Sequence, residues 1–588
     1  MKTLQLATNP SPAKMWLRAL ELTAPIPDNP NRIFPNVVEE LAEKFGGAPA
    51  LLAEGEVLSY RELAERSNQY ARWALDHGLG QGGVVCLLMP NCPEYMAIWL
   101  GITRIGGVVA LLNTNLSGPS LAHCVRSAEP KLIIVAARFH DALVRAVPEF
   151  ADQQKVWVRG DDMLQRYSGE SLSRLEQRPV SIHDTALFIY TSGTTGLPKA
   201  ARVSHSRVMQ WTHWFAGMVD ATPEDRMYNC LPMYHSVGGV VAIGAVLVGG
   251  GSVVIKEGFS ARQFWDDILR WDCTLFQYIG ELCRYLLRSE YSVSEREHRI
   301  RMICGNGLRL DVWNDFKERF QIPWILEFYA ATEGNFSLYN AEGKPGAIGR
   351  IPLFLAHRFP LALVRHDIQT GEPARDEKRS CIRCALNETG EAIGRISSTG
   401  KAGGRFEGYT NEEASEKKIL RDVFEPGDAW FRTGDLMRQD ENGYFYFIDR
   451  VGDTFRWKGE NVSTCEVSEA ICAFPGVRFA NVFGVSVPGT EGRAGMAAIV
   501  AEGALNLAAL RMHLIDRLPG YARPLFLRIL DGLPLTSTFK QPKQDLVRAG
   551  YDPGATSDPV YFNDPDKGAF VPLDREFFCQ LQKGQIRL

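Results

Sequence analysis

The sequence predicts an α/β fold in which helices and largely parallel strands form layered sheets, followed by a smaller α+β part. Three observations predict it. Helical and strand-like patterns alternate over most of the chain, and a hairpin pattern interrupts them near residue 440. After Gly452 the pattern becomes that of a small α+β unit. Regular alternation favours parallel sheets, because a parallel connection needs a crossover and a helix commonly supplies it.

The alternation is clearest in the N-terminal part of the chain. A first helix is predicted because six residues share one helical face: Leu63, Ser67, Tyr70, Ala71, Ala74 and Leu75. The apolar run 84–89 then predicts a buried strand. A second helix with Phe264, Trp265, Ile268 and Leu269 precedes the apolar run 273–278. Glycines interrupt the most apolar stretch, 237–255, and therefore favour a buried helix and strand over a membrane span.

The hairpin pattern surrounds the sequence Asp440-Glu441-Asn442-Gly443. Asn-Gly favours a tight hairpin turn, because both residues tolerate positive φ. Beyond it, two strands are predicted at 477–487 and 496–500, and a helix carries Leu507, Leu510, Leu514 and Leu518. We therefore expect a large domain over 1–450 and a small domain over 451–588. Gly452 and the adjacent Asp453 are suited to a hinge, because glycine accommodates backbone rotation at low steric cost.

Composition excludes several classes of protein. The chain has 588 residues, of which 45% are hydrophobic and 23% charged, and its formal net charge is -4. These values are typical of a globular protein with more than one domain, and they give no reason to expect a nucleic-acid partner. The 12 cysteines are scattered, which favours a reducing compartment such as the cytoplasm. The pair Cys381 and Cys384 is interpreted as incidental, and no secretory signal is expected at the start of the chain.

The strongest chemical pattern is a loop of hydroxyl residues and glycines that ends in a lysine. An apolar strand, 186–190, leads into Thr191, Ser192, Gly193, Thr194, Thr195 and Gly196, and Lys199 follows. Glycines let backbone N–H groups approach an anion, while hydroxyls and the lysine add donors and charge. The spacing differs from that of the Walker loop. The pattern therefore predicts a loop that holds phosphates.

This loop resembles the signature loop of the adenylate-forming superfamily, which includes acyl-CoA synthetases, peptide-synthetase adenylation domains and beetle luciferases. Further motifs follow in the order expected of that superfamily: Leu231 to Ser236, Cys304 to Arg309, Tyr329 to Asn335, Thr433 to Asp435 and Pro534 to Lys540. The resemblance covers most of the chain. It implies a large N-terminal adenylate-forming domain and a small, mobile α+β C-terminal domain that carries a catalytic lysine.

The resemblance also implies roles for individual residues. His235 would orient the acyl carboxylate. Adenine would lie against the main chain at Gly305, Asn306 and Gly307 and stack on Tyr329. Thr332 would contact phosphate, Glu333 would bind Mg²⁺, and Asp435 and Arg450 would hold the ribose. Lys540 would stabilise the charge of the adenylation transition state, with His235, Thr194 and Glu333 as the other catalytic residues. Phe539 stands where the superfamily commonly has glycine, and Lys543 is a second candidate lysine.

Longer strings resemble the fatty acid transport protein and very-long-chain acyl-CoA synthetase branch: Phe276 to Glu281, Cys283 to Leu287, Gly305 to Arg309 and Asp453 to Val462. The resemblance implies an ATP-dependent fatty acid–CoA ligase that forms an acyl-adenylate and releases AMP and pyrophosphate. ATP, Mg²⁺, coenzyme A and a fatty acid are the implied small molecules. Peripheral association with the inner face of a membrane is left open.

Five alternatives remain at this point, and one of them, a luciferase-like oxygenase, is possible on grounds of fold alone. The chain could transfer the acyl group to a carrier protein instead of coenzyme A, or it could activate bile-type acids. It could be a fatty acid uptake protein whose ligase activity is secondary. It could also be a binding module without activity, although the intact loop, Glu333, Asp435 and Lys540 argue against that class.

Overall fold

The computed structural model describes residues 11–150, 156–159, 164–191, 197–367, 370–397, 404–458, 460–488, 490, 492–532 and 543–586. Packing divides the chain into two compact units. The first comprises Met1–Pro360 and Arg395–Leu420, and the second comprises Leu361–Gly394 and Arg421–Leu588. The packing division is thus discontinuous in sequence, whereas the predicted boundary at 450/451 falls inside the second unit. A mobile domain that begins at residue 451 remains a prediction.

Two sheets form the framework of the first unit. One has the order β14-β13-β12-β11-β9-β10-β1-β2 and the other the order β6-β5-β3-β4-β7-β8. Their strands are β1 Pro49–Ala53, β2 Glu56–Ser59, β3 Val84–Leu88, β4 Val108–Leu111, β5 Leu132–Val135, β6 Val156–Val158, β7 Thr185–Thr191, β8 Lys199–Ser204, β9 Arg226–Asn229, β10 Ser252–Ile255, β11 Leu275–Ile279, β12 Met302–Asn306, β13 Ile325–Ala330 and β14 Ser337–Asn340. A short strand outside these two sheets, β15 Gly349–Arg350, follows.

Helices accompany these strands: α1 Pro12–Thr23, α2 Phe34–Phe45, α3 Tyr60–Asp76, α4 Pro93–Arg104, α5 Gly118–Ala128, α6 Ala137–Ala146, α7 His205–Val219, α8 Ala242–Val248, α9 Phe264–Arg270, α10 Gly280–Arg288, α11 Leu310–Arg319 and α12 Glu412–Glu416. The inner strands of both sheets pair in parallel, and antiparallel pairs occur towards the edges. The main hydrophobic core contains side chains from both sheets. The predicted α/β layers with largely parallel sheets are confirmed.

Local sequence explains the elements that were predicted. Helix α3 begins with a capping box, in which the backbone N–H of Ser59 donates to Glu62 and the backbone N–H of Glu62 donates to the Ser59 hydroxyl. Most of its predicted apolar face is buried. Strand β3 is buried along nearly its whole length, as expected of a strand covered on both faces. The apolar stretch 237–255 forms a π-helical turn (Val237–Val241), α8 and β10.

The second unit is built mainly from antiparallel strands. One sheet contains β16-β19-β21-β22 and another has the order β25-β26-β27-β28-β29. Its elements are β16 Leu361–Val364, β17 His366–Asp367, β18 Glu372–Pro373, β19 Thr389–Arg395, β20 Ile419–Arg421, β21 Ala429–Gln439, β22 Tyr444–Arg450, β23 Phe455–Trp457, β24 Glu460–Val462, α13 Thr464–Cys472, β25 Val477–Val485, β26 Ala494–Ala501, α14 Leu507–Arg517, β27 Phe526–Leu530, α15 Gln544–Ala549, β28 Val560–Asp564, β29 Ala569–Pro572 and α16 Arg575–Gln582. The α+β pattern predicted for the end of the chain is confirmed.

The predicted hairpin is formed by β21 and β22. One detail differs from the prediction: Gly443 has φ of 81°, but Asn442 is not among the residues with positive φ. Because the turn spans four residues and the Asp440 carboxylate accepts from the backbone N–H groups of Asn442 and Tyr444, only one left-handed residue is needed.

Candidate active site

The predicted phosphate loop connects β7 to β8 in the first unit. These strands pair antiparallel, with Thr191 opposite Lys199, so the two ends of the loop meet. Ser192, Gly193, Thr194, Thr195 and Gly196 lie outside the described residues. The described ends place one hydroxyl and one ammonium group side by side at the edge of a sheet.

The Leu231-to-Ser236 motif forms a turn that contacts the Tyr329-to-Asn335 motif. The hydroxyls of Ser236 and Thr332 lie 3.2 Å apart within hydrogen-bond distance. A side chain at Gly239 would collide with the Met233 carbonyl oxygen at 1.9 Å, so glycine is required for the close packing of this turn. The ring of His235 lies 4.7 Å from that of Tyr234 and is half-buried. The structure thus brings together two motifs that are far apart in sequence.

Tyr409 links the phosphate loop to the predicted magnesium ligand. Its hydroxyl donates to Oε1 of Glu333 at 2.7 Å, and the nearby Thr191 side chain acts to lower the pKa of the same hydroxyl. The ammonium group of Lys199 lies 5.7 Å from the centre of the Tyr409 ring, within the range of a cation–π contact. Sequence reasoning missed Tyr409, because it occurs in an irregular segment and nothing local distinguishes it.

The strand ends predicted to hold adenine are also close together. The Gly305-to-Leu308 segment ends β12, and Tyr329 lies half-exposed near the end of the neighbouring β13. A side chain at Gly305 would lie 2.2 Å from the Tyr278 carbonyl oxygen, so only glycine fits there. The side-chain oxygen of Asn306 is buried and has no hydrogen-bond partner within the part of the chain that the structure describes. An adenine amino group is a donor that would satisfy it.

The buried carboxyl group of Glu327 holds this segment. It accepts hydrogen bonds from the backbone N–H groups of Gly307 and Leu308 and from the hydroxyl of Tyr278. Burial raises the pKa of Glu327 to about 8, although these hydrogen bonds act in the opposite direction. Glu327 is not among the site residues predicted from the sequence. An ionisable residue inside the otherwise apolar run 325–328 is the signal that could have found it.

Asp435 and Arg450 lie together in the second unit. They are opposite each other on β21 and β22, and Nε of Arg450 is 3.5 Å from Oδ1 of Asp435. The preceding turn is fixed by Glu391, whose buried carboxylate pairs with Arg432 and accepts from the backbone N–H of Gly434. The carboxylate and guanidinium predicted to bind ribose therefore belong to one rigid hairpin.

The predicted hinge follows this hairpin directly. Gly452 has φ of 93°, and a side chain there would meet nothing within 4 Å. Next to it, Oδ2 of Asp453 lies 3.0 Å from Nζ of Lys543, which also donates to the Thr464 hydroxyl. Lys543 is thus held by an ion pair within the second unit. Lys540, the first candidate for the catalytic lysine, lies outside the described residues.

The layered, largely parallel α/β sheets define the fold class of the chain. Two solved structures share the fold. ATP-bound MatB from Rhodopseudomonas palustris is 24% identical, with a TM-score of 0.74, over 87% of this chain and 98% of that one. A benzoate CoA ligase from Burkholderia xenovorans is 19% identical, with a TM-score of 0.72, over 88% of this chain and 100% of that one.

The chain belongs to the family described as AMP-binding enzymes, whose model matches residues 38–377, and the model of the AMP-binding enzyme C-terminal domain matches residues 466–540. Long-chain fatty acid transport protein 6 of Mus musculus is 40% identical over 92% of this chain and 88% of its own length. Long-chain fatty acid transport protein 3 of Homo sapiens is 42% identical over 87% of this chain and 76% of its own length. The superfamily and the branch inferred from the sequence motifs are confirmed.

Proposed function

We propose that the chain is an ATP-dependent long- or very-long-chain fatty acid–CoA ligase that acts through an acyl-adenylate and releases AMP and pyrophosphate. The observation that carries the proposal is the meeting of Thr191, Lys199 and Glu333 around Tyr409, because these are the two ends of the loop that we propose to hold phosphates and the carboxylate that we propose to hold Mg²⁺. The names of the relatives support a long-chain fatty acid as the acid. Membership of the AMP-binding enzyme family supports adenylation as the means of activation.

In the proposed first step, AMP replaces oxide, which is the poor leaving group of a free carboxylate. An oxygen of the fatty acid carboxylate attacks the α-phosphorus of ATP, and pyrophosphate leaves. The resulting mixed anhydride carries AMP as its leaving group. Positioning and neutralisation of charge are the main contributions that a protein makes to such a transfer. We assign the positioning and the neutralisation of charge to the loop 191–199, His235, Thr332 and Lys540. Tyr329 and Asn306 are proposed to contact the adenine, and Asp435 and Arg450 are proposed to bind the ribose.

Mg²⁺ fits the chemistry of Glu333. The cation is hard, prefers oxygen ligands and is often bound by one carboxylate together with nucleotide phosphates. Oε1 of Glu333 accepts from Tyr409, while Oε2 has no hydrogen-bond partner among the described residues. One carboxylate oxygen is therefore available to the cation, which would neutralise phosphate charge when bound.

The proposed second step is the attack of the coenzyme A thiol on the mixed anhydride. The thiol sulfur forms the bond to the acyl carbon, and AMP leaves. We propose that the domain from residue 451 onwards rotates about Gly452 between the two steps. Rotation would withdraw Lys540 and present the segment Asp453 to Val462. Transfer to a carrier protein is the alternative for this step.

We also propose that the chain associates peripherally with a membrane, where long-chain fatty acids concentrate. No helix within the described ranges is both long enough and apolar enough to cross a bilayer. Leu353 is 95% exposed and Phe354 is 56% exposed, while the adjacent Leu355 is buried and anchors this short helical turn. His357 and Arg358 are exposed, and no acidic residue occurs between Glu342 and Asp367. An apolar tip beside basic residues suits an anionic lipid surface.

A panel of acids tests the proposed reaction. Purified protein is incubated with ATP, Mg²⁺ and acids from short to very long, including a bile-type acid, with and without coenzyme A. We expect pyrophosphate release and acyl-CoA, identified by mass, with the long acids. Acyl-AMP without acyl-CoA would favour a carrier protein as acceptor, and no pyrophosphate with any acid would contradict the proposal.

A further inference from the structure

Tyr409 occupies a fixed position beside the phosphate loop. The segment that carries it lies along β8: the backbone N–H of Arg202 donates to the Gly408 carbonyl at 3.0 Å, and that of Thr410 donates to the Ala200 carbonyl at 2.9 Å. Its side chain packs against Ala201 and Ala414 and is only 3% exposed. Backbone hydrogen bonds on both sides of Tyr409 therefore fix where its hydroxyl lies.

The hydroxyl and the ring make different contacts. The hydroxyl donates to Glu333 and lies near the Thr191 side chain, whereas the ring lies next to the Lys199 ammonium group. A tyrosine hydroxyl ordinarily keeps its proton near neutral pH, so that of Tyr409 is the donor in the hydrogen bond to Glu333.

We propose that Tyr409 is a positioning residue of the adenylation site, which fixes the Glu333 carboxylate for Mg²⁺ through its hydroxyl and orients Lys199 through its ring. The inference rests on the proposed function, because it assigns Tyr409 to a magnesium–ATP site. A hydrogen bond to a charged group in a mostly buried position restricts that group to one orientation. The carboxylate is therefore already oriented before the cation binds.

Two substitutions separate the two contacts. Tyr409→Phe removes the hydroxyl and keeps the ring, whereas Tyr409→Leu removes both. Tyr60→Phe is the matched control: Tyr60 is fully buried in the same unit, and its hydroxyl donates to the carbonyl oxygens of Leu247 and Gly251, away from the site residues. All three variants lose a buried hydroxyl, but only the two Tyr409 variants change a residue of the proposed site.

Equilibrium binding of ATP is measured by calorimetry at a series of Mg²⁺ concentrations and in excess chelator. We expect Tyr409→Phe to raise the Mg²⁺ concentration needed for half-maximal enhancement of ATP binding by about tenfold, the size expected for a lost hydrogen bond to a charged group. Binding in chelator should stay within about twofold of wild type. Tyr409→Leu should weaken binding in chelator as well, and Tyr60→Phe should change neither quantity.

The outcomes distinguish the inference from the proposed function. An unchanged Mg²⁺ requirement in Tyr409→Phe, or an equal loss with and without Mg²⁺, would overturn the positioning role. If the wild-type chain showed no Mg²⁺-dependent ATP binding, the proposed function would fail and the role of Tyr409 with it. Because no fatty acid is present, an error about the acid leaves the result unaffected.

Discussion

The hydroxyl of Tyr278 donates a hydrogen bond to the carboxyl group of Glu327, and both side chains are buried. Through Glu327, the strand that resembles the fatty acid transport protein branch is linked to the backbone N–H groups of Gly307 and Leu308. A side chain at Gly280 would also collide with the Gly307 carbonyl oxygen at 1.8 Å. Two strings recognised separately in the sequence are thus parts of one packed arrangement.

The Glu327 carboxyl predicts a pH-dependent stability. Its pKa is raised from an ordinary value of 4.5 to about 8 in the folded chain, so the folded state binds this proton more tightly than the unfolded state does. The bound proton therefore stabilises the folded state fully at pH values below the pKa that Glu327 has in the unfolded chain. This stabilisation is lost as the pH rises through the pKa that Glu327 has in the folded chain. Thermal melting should therefore show wild type losing stability relative to Glu327→Gln between about pH 5 and about pH 9. A constant difference in melting temperature would contradict the raised pKa.

Lys540 and Lys543 should differ in their effect on adenylation. Lys543 is held by Asp453 and Thr464, so Lys543→Ala should change fatty-acid-dependent pyrophosphate release by less than about threefold. Lys540→Ala should slow it by about a hundredfold or more, because a charge that stabilises the transition state is lost. Both are measured in single turnovers without coenzyme A. A larger loss in Lys543→Ala would reverse the assignment.

The hinge prediction can be tested with a matched glycine. Gly452 and Gly427 are both exposed, have φ of 93° and 83°, and leave open space where a side chain would be. Alanine at either position should cost about 1 kcal/mol of stability through backbone strain. Only Gly452→Ala should also change the rate at which preformed acyl-AMP is passed to coenzyme A. If that rate matched the rate in Gly427→Ala, rotation about Gly452 would be excluded.

Membrane association is predicted to depend on Leu353. In flotation with anionic vesicles, Leu353→Ser should lower the bound fraction by about tenfold, because burial of one leucine side chain is worth about 1.5 to 3 kcal/mol. Leu175→Ser is the control, since Leu175 is 90% exposed in a different loop. Equal binding by both variants would remove Leu353 from the proposed surface.

Periodicity explains which parts of the fold could be predicted. The faces of α3 and α9 and the buried strands β3 and β7 follow from spacing alone, and the motif residues follow from resemblance. The discontinuous division of the chain could not be predicted, because the segment 361–394 joins the second unit through strand pairing with residues after 420. Tyr409 was missed for the same reason: its importance arises from contacts with Thr191, Lys199 and Glu333, which only the folded chain brings together.

Activation of a fatty acid as its adenylate transfers one carboxylate oxygen to AMP, and an isotope label follows this transfer. A long-chain fatty acid labelled with heavy oxygen in its carboxylate is converted with ATP, Mg²⁺ and coenzyme A, and the products are analysed by mass. Attack of the carboxylate on the α-phosphorus predicts one labelled oxygen in each AMP formed. Label in inorganic phosphate, or acyl-CoA formed without label in AMP, would exclude an acyl-adenylate as the intermediate.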